Sequence, residues 1–326
     1  MSDAIAGSEA KTAESNVSQT SATRSPAWWV PTSYFAMGTV YIMVSTASNI
    51  MFSNLGLTNE QAAAYSSLTG FAFTFKPFWA PLLELFGTKK LWVVAMQLVL
   101  GVLFLGLAFA LKLPAFVMPV VVLLMVAAVA GATQDIVSDG VYVTSLDSKR
   151  QAAFAGIQSM SWSIGPILAN GFLVLLVGRL AGESEGGPKP AVEAYTGAWL
   201  TVFIGLGVLL FALAGWHALM LPQGEKSHDA PKSFGDALNT FGRVFVTFFQ
   251  KRDVWKLIGF AFFYRFGLGL LDKIAPLFLL DSTAHGGLGL NNSQLGILNG
   301  LIGTTAFIGG SIAGGWFVSR RGLKKS

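Results

Sequence analysis

Long runs of apolar residues, separated by short polar segments, dominate this chain from about residue 28 to its end. Each run approaches or exceeds the roughly 20 residues with which a helix crosses the hydrocarbon core of a bilayer. Strands do not fit, because open strands leave backbone groups unpaired in lipid and a barrel needs short alternating segments. The pattern predicts an all-α membrane protein with eight spans, at about 28–53, 61–86, 91–111, 114–142, 151–180, 195–221, 255–281 and 293–319.

The segment between the sixth and seventh spans has a different, amphipathic pattern. Ser233 is a candidate helix cap, with Asp236 three residues after it. Large apolar residues then recur at helical spacing, at Phe234, Leu238, Phe241, Phe245 and Phe248. Basic residues flank the segment, which predicts a helix lying on the cytoplasmic membrane surface. A linker helix that does not contact lipid is the alternative.

Composition agrees with a membrane protein. Hydrophobic residues make up 53% of the 326 positions and charged residues 12%, and the mean hydropathy is +0.58. Cysteine is absent, which excludes disulfides, thiolate metal sites and cysteine nucleophiles. Residues 1–27 lack an apolar core and are expected to form a disordered cytoplasmic tail. The histidines are scattered, and no phosphate-binding loop or hydrolase motif is present, so we expect no metal, cofactor or enzyme activity.

Basic residues are distributed unevenly between the two sets of loops. Lysine and arginine concentrate after the second, fourth, sixth and eighth spans, whereas the opposite loops hold only Lys112, Arg179 and Lys189. Short loops rich in these residues stay in the cytoplasm. The formal charge of +5 is therefore a topology signal and not a nucleic-acid surface. We expect a multi-pass inner-membrane protein with a cytoplasmic N-terminus.

The sequence also contains an internal repeat. The stretch Gly56-Leu57-Thr58-Asn59-Glu60-Gln61 returns 233 residues later as Gly289-Leu290-Asn291-Asn292-Ser293-Gln294. Each copy opens a span, so the second span corresponds to the eighth. This predicts a six-helix bundle at 28–221, a cytoplasmic linker at 222–254 and a partial second bundle at 255–326. Because the last residues form a basic loop that ought to lead into another span, we expect a truncated chain; a natural eight-helix protein is the alternative.

Several motifs resemble those of one transporter family. Lys76-Pro77-Phe78-Trp79-Ala80-Pro81-Leu82-Leu83-Glu84 ends the second span, and Gln134-Asp135-Ile136-Val137-Ser138-Asp139 lies in the fourth. Together with Tyr264-Arg265-Phe266-Gly267 and the Gly314–Gly322 segment, they resemble the muropeptide permease and acetyl-coenzyme A transporter (AmpG-type) branch of the major facilitator superfamily. Leu268, Ser319 and Glu84 depart from its pattern. The resemblance implies a twelve-helix, proton-coupled importer with parallel six-helix halves.

Charged residues inside the spans are the first candidates for function, because a charge in lipid needs a partner or a watery cavity. Asp135 and Asp139 lie four residues apart near the cytoplasmic end of the fourth span, and Gln134 borders their face. Lys76 lies at a depth that matches Asp135. The cluster predicts a cytoplasmic gate that breaks during transport, and a static ion pair that fixes helix packing is the alternative.

A second group of candidates lies in the first and seventh spans. Arg265 and Asp272 share a face, with Lys273 beside them and Pro276 above. The guanidinium is suited to hold a carboxylate or phosphate, and Asp272 is the expected proton carrier because an apolar setting favours a neutral carboxyl group. A mutual Arg265–Asp272 pair without either role is the alternative. The first span adds a polar stripe that faces a cavity or a neighbouring helix, at Tyr34, Tyr41, Ser45, Ser48 and Asn49.

These patterns lead to one functional hypothesis and two alternatives. We expect a secondary transporter, monomeric, that carries a polar or anionic small molecule such as a muropeptide or sugar derivative together with protons. A membrane-embedded enzyme or lipid-handling protein that uses Asp135 and Asp139 is one alternative, although further metal ligands are not seen nearby. An inactive truncated transporter is the other.

Overall fold

The computed structural model describes residues 24–83, 87–184, 187–223, 233–303, 306 and 309–310. Its helices are α1 (Pro26–Asn54), α2 (Asn59–Thr74), α3 (Lys76–Leu83), α4 (Lys89–Ala110), α5 (Val117–Ser145), α6 (Ser148–Leu180), α7 (Val192–Met220), α8 (Phe234–Phe249), α9 (Val254–Leu280) and α10 (Asn292–Ile297). The described residues contain no strand, which agrees with the predicted all-α class. Outside them lie most of the predicted tail, Glu84, residues 224–232 of the linker and most of the end of the eighth span.

Six helices of the described part are long and apolar enough to cross a membrane: α1, α4, α5, α6, α7 and α9. They match six of the eight predicted spans to within a few residues. The second predicted span forms two helices, because the chain leaves helical geometry at Phe75 (φ −91°, ψ 7°) before α3 starts. Pro77 accounts for the break, since proline has no N–H to continue the hydrogen bonds of α2 and is tolerated in the first turn of α3, where no such bond is needed.

The repeated hexapeptide folds in the same way in both copies. Thr58 caps α2 and Asn291 caps α10, and each forms a reciprocal capping box with the glutamine three residues later. The glycine that opens each copy has a positive φ, +86° at Gly56 and +66° at Gly289, which a side chain would disfavour. The repeat in the sequence is therefore also a repeat of local structure.

The first six spans form one packed bundle. α4 packs against α5 and α7, α1 packs against α6, and α2 packs against α5. The main core contains large, fully buried side chains, among them Phe52, Phe104, Trp199 and Phe203. Many large apolar side chains on the outer surface are exposed, as expected of helices whose solvent is lipid. Helix α1, most of whose residues are buried, runs through the bundle from Trp28 to Asn54. We call the two ends of the bundle the Trp28 face and the Asn54 face.

The described part of the chain contains three π-helical segments. They lie at Met43–Ala47 in α1, at Ile167–Leu173 in α6 and at Leu298–Gly303 after α10. The turn in α6 contacts the other two. Because π turns shift the backbone hydrogen-bond pattern, they leave carbonyl groups that can accept other donors.

The predicted amphipathic helix is present as α8, with the Ser233 hydroxyl accepting the Asp236 N–H at 3.1 Å. It contacts α3 through Phe241 and Phe78, whose ring centroids are 5.5 Å apart. At its other end Phe249 lies 5.4 Å from Trp255 at the start of α9. Leu238, Phe245 and Phe248 remain exposed. A role on a lipid surface stays a prediction.

The last two helices touch the bundle near the Asn54 face. α9 is exposed along most of its length from Trp255 to Asp272, and its buried residues near that face are Pro276 and Leu277. α10 packs against the last turns of α6. Helices α9 and α10, which we call the second part of the protein, are therefore joined to the bundle of α1–α7 at one end.

The packing of α1 on α6 depends on two glycines that leave no space for a side chain. A Cβ added at Gly165 would come within 2.8 Å of the Gly38 Cα and still closer to the Thr39 backbone nitrogen. Gly165→Ala is therefore expected to destabilise the fold by about 1–3 kcal/mol through overpacking. Thermal unfolding of the purified protein in detergent measures the effect.

Gly156→Ala is the matched control on the same helix. A Cβ added at Gly156 meets nothing within 4 Å, so this variant should be as stable as the wild type or slightly more stable. Equal melting temperatures for both variants would show that the close approach of α1 and α6 is wrong.

Candidate functional site

The predicted gate residues form two linked contacts near the Trp28 face. Lys76 Nζ makes an ion pair with Asp135 Oδ2, and the two side chains are 25% and 22% exposed. The same ammonium lies 5.1 Å from the ring centroid of Phe73. One turn further along α5, Asp139 Oδ1 accepts the Tyr34 hydroxyl at 2.7 Å. Both aspartates are therefore engaged by side chains from other helices.

Tyr34 contacts a neighbouring helix, which is one of the two environments predicted for the polar stripe of α1. We grouped it with Tyr41, Ser45 and Asn49 as part of one stripe, but its hydroxyl group belongs to the cluster around Asp139. Its ring also packs edge-on against Tyr142, with centroids 5.9 Å apart. Since α1 is long, one helical stripe reaches from one polar cluster to another.

Gln134 is buried and does not join the ion pair. It is 1% exposed, and within the described residues neither amide atom has a hydrogen-bond partner. Ser138, one turn away, is likewise buried with an unpaired hydroxyl. Because unpaired buried polar atoms are rare, Gln134 and Ser138 mark a polar site inside the bundle whose hydrogen-bonding groups are unused in the described structure.

The middle of the protein contains an aromatic group next to the charges of α9. Tyr41 lies edge-on to Phe73 at 4.8 Å and 6.2 Å from Trp162, measured between ring centroids. Tyr41 is also within electrostatic range of both Arg265 and Asp272. The structure thus brings Tyr41 and the two charged candidates to one region.

Arg265 and Asp272 do not form a mutual pair in the described structure. Both side chains are exposed, and no salt bridge or hydrogen bond joins them. Two helical turns separate the guanidinium from the carboxylate in this structure, and the alternative of a mutual pair stays a prediction.

Ser45 and Asn49 contact α9 through Lys273, which the sequence analysis named beside Arg265 and Asp272 but to which it gave no role. Lys273 Nζ donates to the Ser45 carbonyl oxygen at 3.0 Å and to Ser66 Oγ at 3.1 Å. Asn49 Nδ2 donates to the Lys273 carbonyl oxygen at 2.9 Å. The cost of a lysine within a 27-residue apolar helix is the signal that could have identified it.

A hydrogen-bond network at the Asn54 face joins α10 to the bundle formed by α1–α7. The carboxylate of Glu183 accepts the Tyr195 hydroxyl at 2.7 Å, Asn292 Nδ2 at 2.9 Å and the Ser293 N–H at 3.1 Å. Asn54 Oδ1 accepts Trp199 Nε1 and Asn292 Nδ2, both at 3.0 Å. We call Asn54, Glu183, Tyr195, Trp199 and Asn292 the clasp.

The sequence analysis did not predict the clasp. Glu183 lies in a loop with no motif around it, although Asn292 belongs to the repeated hexapeptide. Charge-assisted hydrogen bonds from three donors are stronger than neutral ones, so Glu183 is an effective anchor for the start of α10.

A smaller contact lies beside the clasp. Asn59 Nδ2 donates to Asp281 Oδ2 at 2.9 Å, which joins α2 to the end of α9. The Ser282 backbone N–H, donating to Asp281 Oδ1 at 2.8 Å, lowers the pKa of this carboxyl group, and the Asn59 amide adds to the effect. Asp281 is thus held ionised, as an acceptor for Asn59.

The described residues offer no group of three or more histidine, aspartate or glutamate side chains that could hold a metal ion. The buried His217 has other partners. Its Nδ1 lies 2.8 Å from Gln97 Oε1, and its Nε2 lies 2.9 Å from Thr32 Oγ1. Both ring nitrogens are therefore engaged in packing α7 against α1 and α4.

Comparison with known proteins gives the family. The model of the Major Facilitator Superfamily matches residues 32–326. Anhydromuropeptide permeases of Escherichia coli strains K12 and O157:H7 are each 24% identical over 283 residues, which cover 85% of this chain and 51% of the permease. The chain thus spans about half the length of these curated relatives.

A solved structure shares the fold. A bacterial homologue of the human lysosomal transporter Spinster, in an inward-facing and unoccupied conformation, superimposes with a TM-score of 0.59 at 18% identity, covering 89% of this chain and 61% of that one. The occupied form gives a TM-score of 0.57 at 19% identity, covering 91% and 60%. By its sequence match and its helical architecture, this chain belongs to the Major Facilitator Superfamily.

Proposed function

We propose that this chain serves secondary active transport, taking up a polar or anionic small molecule together with protons. A muropeptide or sugar derivative is the first candidate, supported by the similarity to anhydromuropeptide permeases. The observation that carries the proposal is the asymmetry between the two faces. The clasp and the Asn59–Asp281 contact join the two parts of the protein at the Asn54 face, whereas α9 is exposed towards the Trp28 face.

This asymmetry supports a state that is closed at one end and open at the other. A transporter of this kind exposes a central site alternately to the two sides of the membrane by rocking one half against the other. The central region holds Tyr41, Arg265 and Asp272. In this proposal the guanidinium binds an anionic group of the substrate and Asp272 carries the proton.

The Lys76–Asp135 pair acts as a gate by exchanging partners. Lys76 and Asp135 belong to α3 and α5, and Tyr34 and Asp139 to α1 and α5, so neither contact bridges the two parts of the protein. When the Trp28 face closes, charged or polar groups from the second part approach this cluster. Engagement of both aspartates by Lys76 and Tyr34 also argues against their use as metal ligands in a membrane enzyme.

The first prediction concerns orientation. The Trp28 face is proposed to be cytoplasmic, because basic residues concentrate in its loops. Since the chain has no cysteine, single cysteines can be introduced without background. In intact cells a cysteine at Lys149 should be shielded from a membrane-impermeant thiol reagent, while cysteines at Asn59 and His285 should react. The reverse pattern of labelling would invert the proposed orientation.

The second prediction concerns the gate pair. Lys76→Met leaves Asp135 without its cation in a partly buried position and should destabilise the protein by about 2 kcal/mol, measured by thermal unfolding. The double variant Lys76→Asp/Asp135→Lys should recover stability. If the pair exchanges partners during transport, the swapped protein should still transport poorly, whereas a purely static pair predicts recovery of both.

Arg150→Met provides the control for this comparison. Arg150 and Asp147 form an exposed pair, with 60% and 66% exposed side chains and 3.9 Å between Nε and Oδ2. Such a pair contributes at most about 1 kcal/mol. A Lys76→Met protein that unfolds at the temperature of Arg150→Met would contradict the importance of the gate pair.

The third prediction tests transport itself. In proteoliposomes with an imposed pH gradient, the wild type should accumulate substrate, and an uncoupler should abolish the accumulation. Asp272→Asn should still exchange substrate across the membrane but should lose accumulation, because a neutral amide mimics the protonated state alone.

Asp253→Asn is the control for this variant. It makes the same chemical change just before α9, at a surface position with φ +64° that asparagine tolerates, and should behave as the wild type. Accumulation that persists without a proton gradient would exclude proton coupling.

A further inference from the structure

Lys273 is a partly buried cation whose hydrogen-bond partners are neutral. Its ammonium donates to the Ser45 carbonyl oxygen and to Ser66 Oγ. Within the described residues no carboxylate oxygen lies within salt-bridge distance of this nitrogen, and the neighbouring Asp272 side chain is exposed. Lys76, by contrast, has Asp135 as its counter-ion. Two neutral oxygens hydrogen-bond an ammonium group but do not neutralise its charge.

The surroundings of Lys273 contain further unused hydrogen-bonding capacity. An ammonium group has three donors, and two of them are used. Asn49 is completely buried, and its Oδ1 has no hydrogen-bond partner in the described structure. The amide of Asn49 also contacts the Lys273 backbone, so the charged donor and the unpaired acceptor belong to the same contact between α1 and α9. Since unpaired buried polar atoms are rare, this contact is a candidate site for a ligand with both acceptor and donor groups.

The contacts of Lys273 also join the two parts of the protein. Lys273 belongs to α9, whereas Ser45 and Ser66 belong to α1 and α2. The Ser45 carbonyl lies in the π turn Met43–Ala47 and also accepts the Ser48 hydroxyl at 3.0 Å. Lys273 therefore holds α9 on the bundle by charge-assisted hydrogen bonds to neutral acceptors, and a hydrogen bond to a carboxylate would be stronger because both groups are then charged.

We propose that Lys273 binds an anionic group of the transported molecule, and that this anion competes with Ser45 and Ser66 for the ammonium. The inference rests on the proposed transport function and makes the substrate a molecule with a carboxylate or phosphate next to hydrogen-bond donors. A carboxylate both satisfies and neutralises the ammonium, so it is the better partner. Its binding weakens the hold of α9 on α1 and α2 and favours separation at the Asn54 face.

The experiment compares two ligands that differ in one charge. N-acetylmuramic acid and its methyl ester share the same sugar, and the ester masks the carboxylate. Binding is measured by isothermal titration calorimetry on the 326-residue chain in lipid nanodiscs. The wild type should bind the acid about tenfold or more tightly than the ester, as expected for a charge-assisted hydrogen bond. Lys273→Met should lose most of this preference for the acid.

Two further variants assign the discrimination to Lys273. Lys149→Met removes the same charge at an exposed position near the Trp28 face and should discriminate as the wild type does. Arg265→Met should keep at least part of the preference for the acid. Loss of the preference in Arg265→Met with retention in Lys273→Met would place the anion at Arg265 and overturn the proposal. A wild type that binds the acid no better than the ester would also overturn it.

A second measurement leaves Lys273 in place. Spin labels on cysteines at the exposed positions Glu60 and Ala284 report the distance between α2 and the segment after α9. The acid should lengthen this distance and the ester should not, and an unchanged distance with bound acid would exclude the competition. Preference for the acid without uptake into proteoliposomes would leave the anion site standing while the transport function fails. Uptake without preference for the acid would support the transport function and overturn the anion site at Lys273.

Discussion

A charge or polar group in the membrane interior must find its partner within the protein, and this constraint explains where the polar contacts of the structure lie. Lipid offers no hydrogen bonds, so each polar side chain on a spanning helix fixes the neighbour that satisfies it. The Lys76–Asp135 and Tyr34–Asp139 contacts hold α1, α3 and α5 together near one end. Lys273 and Glu183 hold α9 and α10 near the other. Between these two sets of contacts lies the aromatic group of Tyr41, Phe73 and Trp162.

The two sets of contacts differ in which parts of the chain they join. Those near the Trp28 face lie within helices α1–α7, whereas the clasp and Lys273 connect these helices to α9 and α10. Breaking the first set changes the interior of one bundle, and breaking the second set separates two bodies. In the proposed transport cycle, a rocking motion would therefore disrupt the clasp while the fold of helices α1–α7 stays intact.

Much of this arrangement could be predicted from the sequence, because hydropathy is a local property. Six of the spans and α8 are close to their predicted bounds, and the Lys76–Asp135 pair followed from depth and charge alone. The break at Phe75, the π turns, the clasp and the contacts of Lys273 did not follow. The clasp and the Lys273 contacts depend on residues more than a hundred positions apart, such as Asn54 and Asn292, and no local pattern encodes that meeting. The Phe75 break had a local signal in Pro77 that a count of apolar residues overlooks.

The π turn in α1 has a geometrical consequence for the residues that follow it. Successive residues of an α-helix are about 100° apart around its axis, so the extra residue of a π turn offsets everything beyond it by about that angle. Relaxation of Met43–Ala47 to regular geometry would rotate Asn49 and Asn54 by roughly a quarter turn while Tyr34 stayed in place. A small change of winding at the centre of α1 would therefore rotate Asn49 away from α9 and Asn54 away from α10, and so break the hydrogen bonds that these two residues make with Lys273 and Asn292.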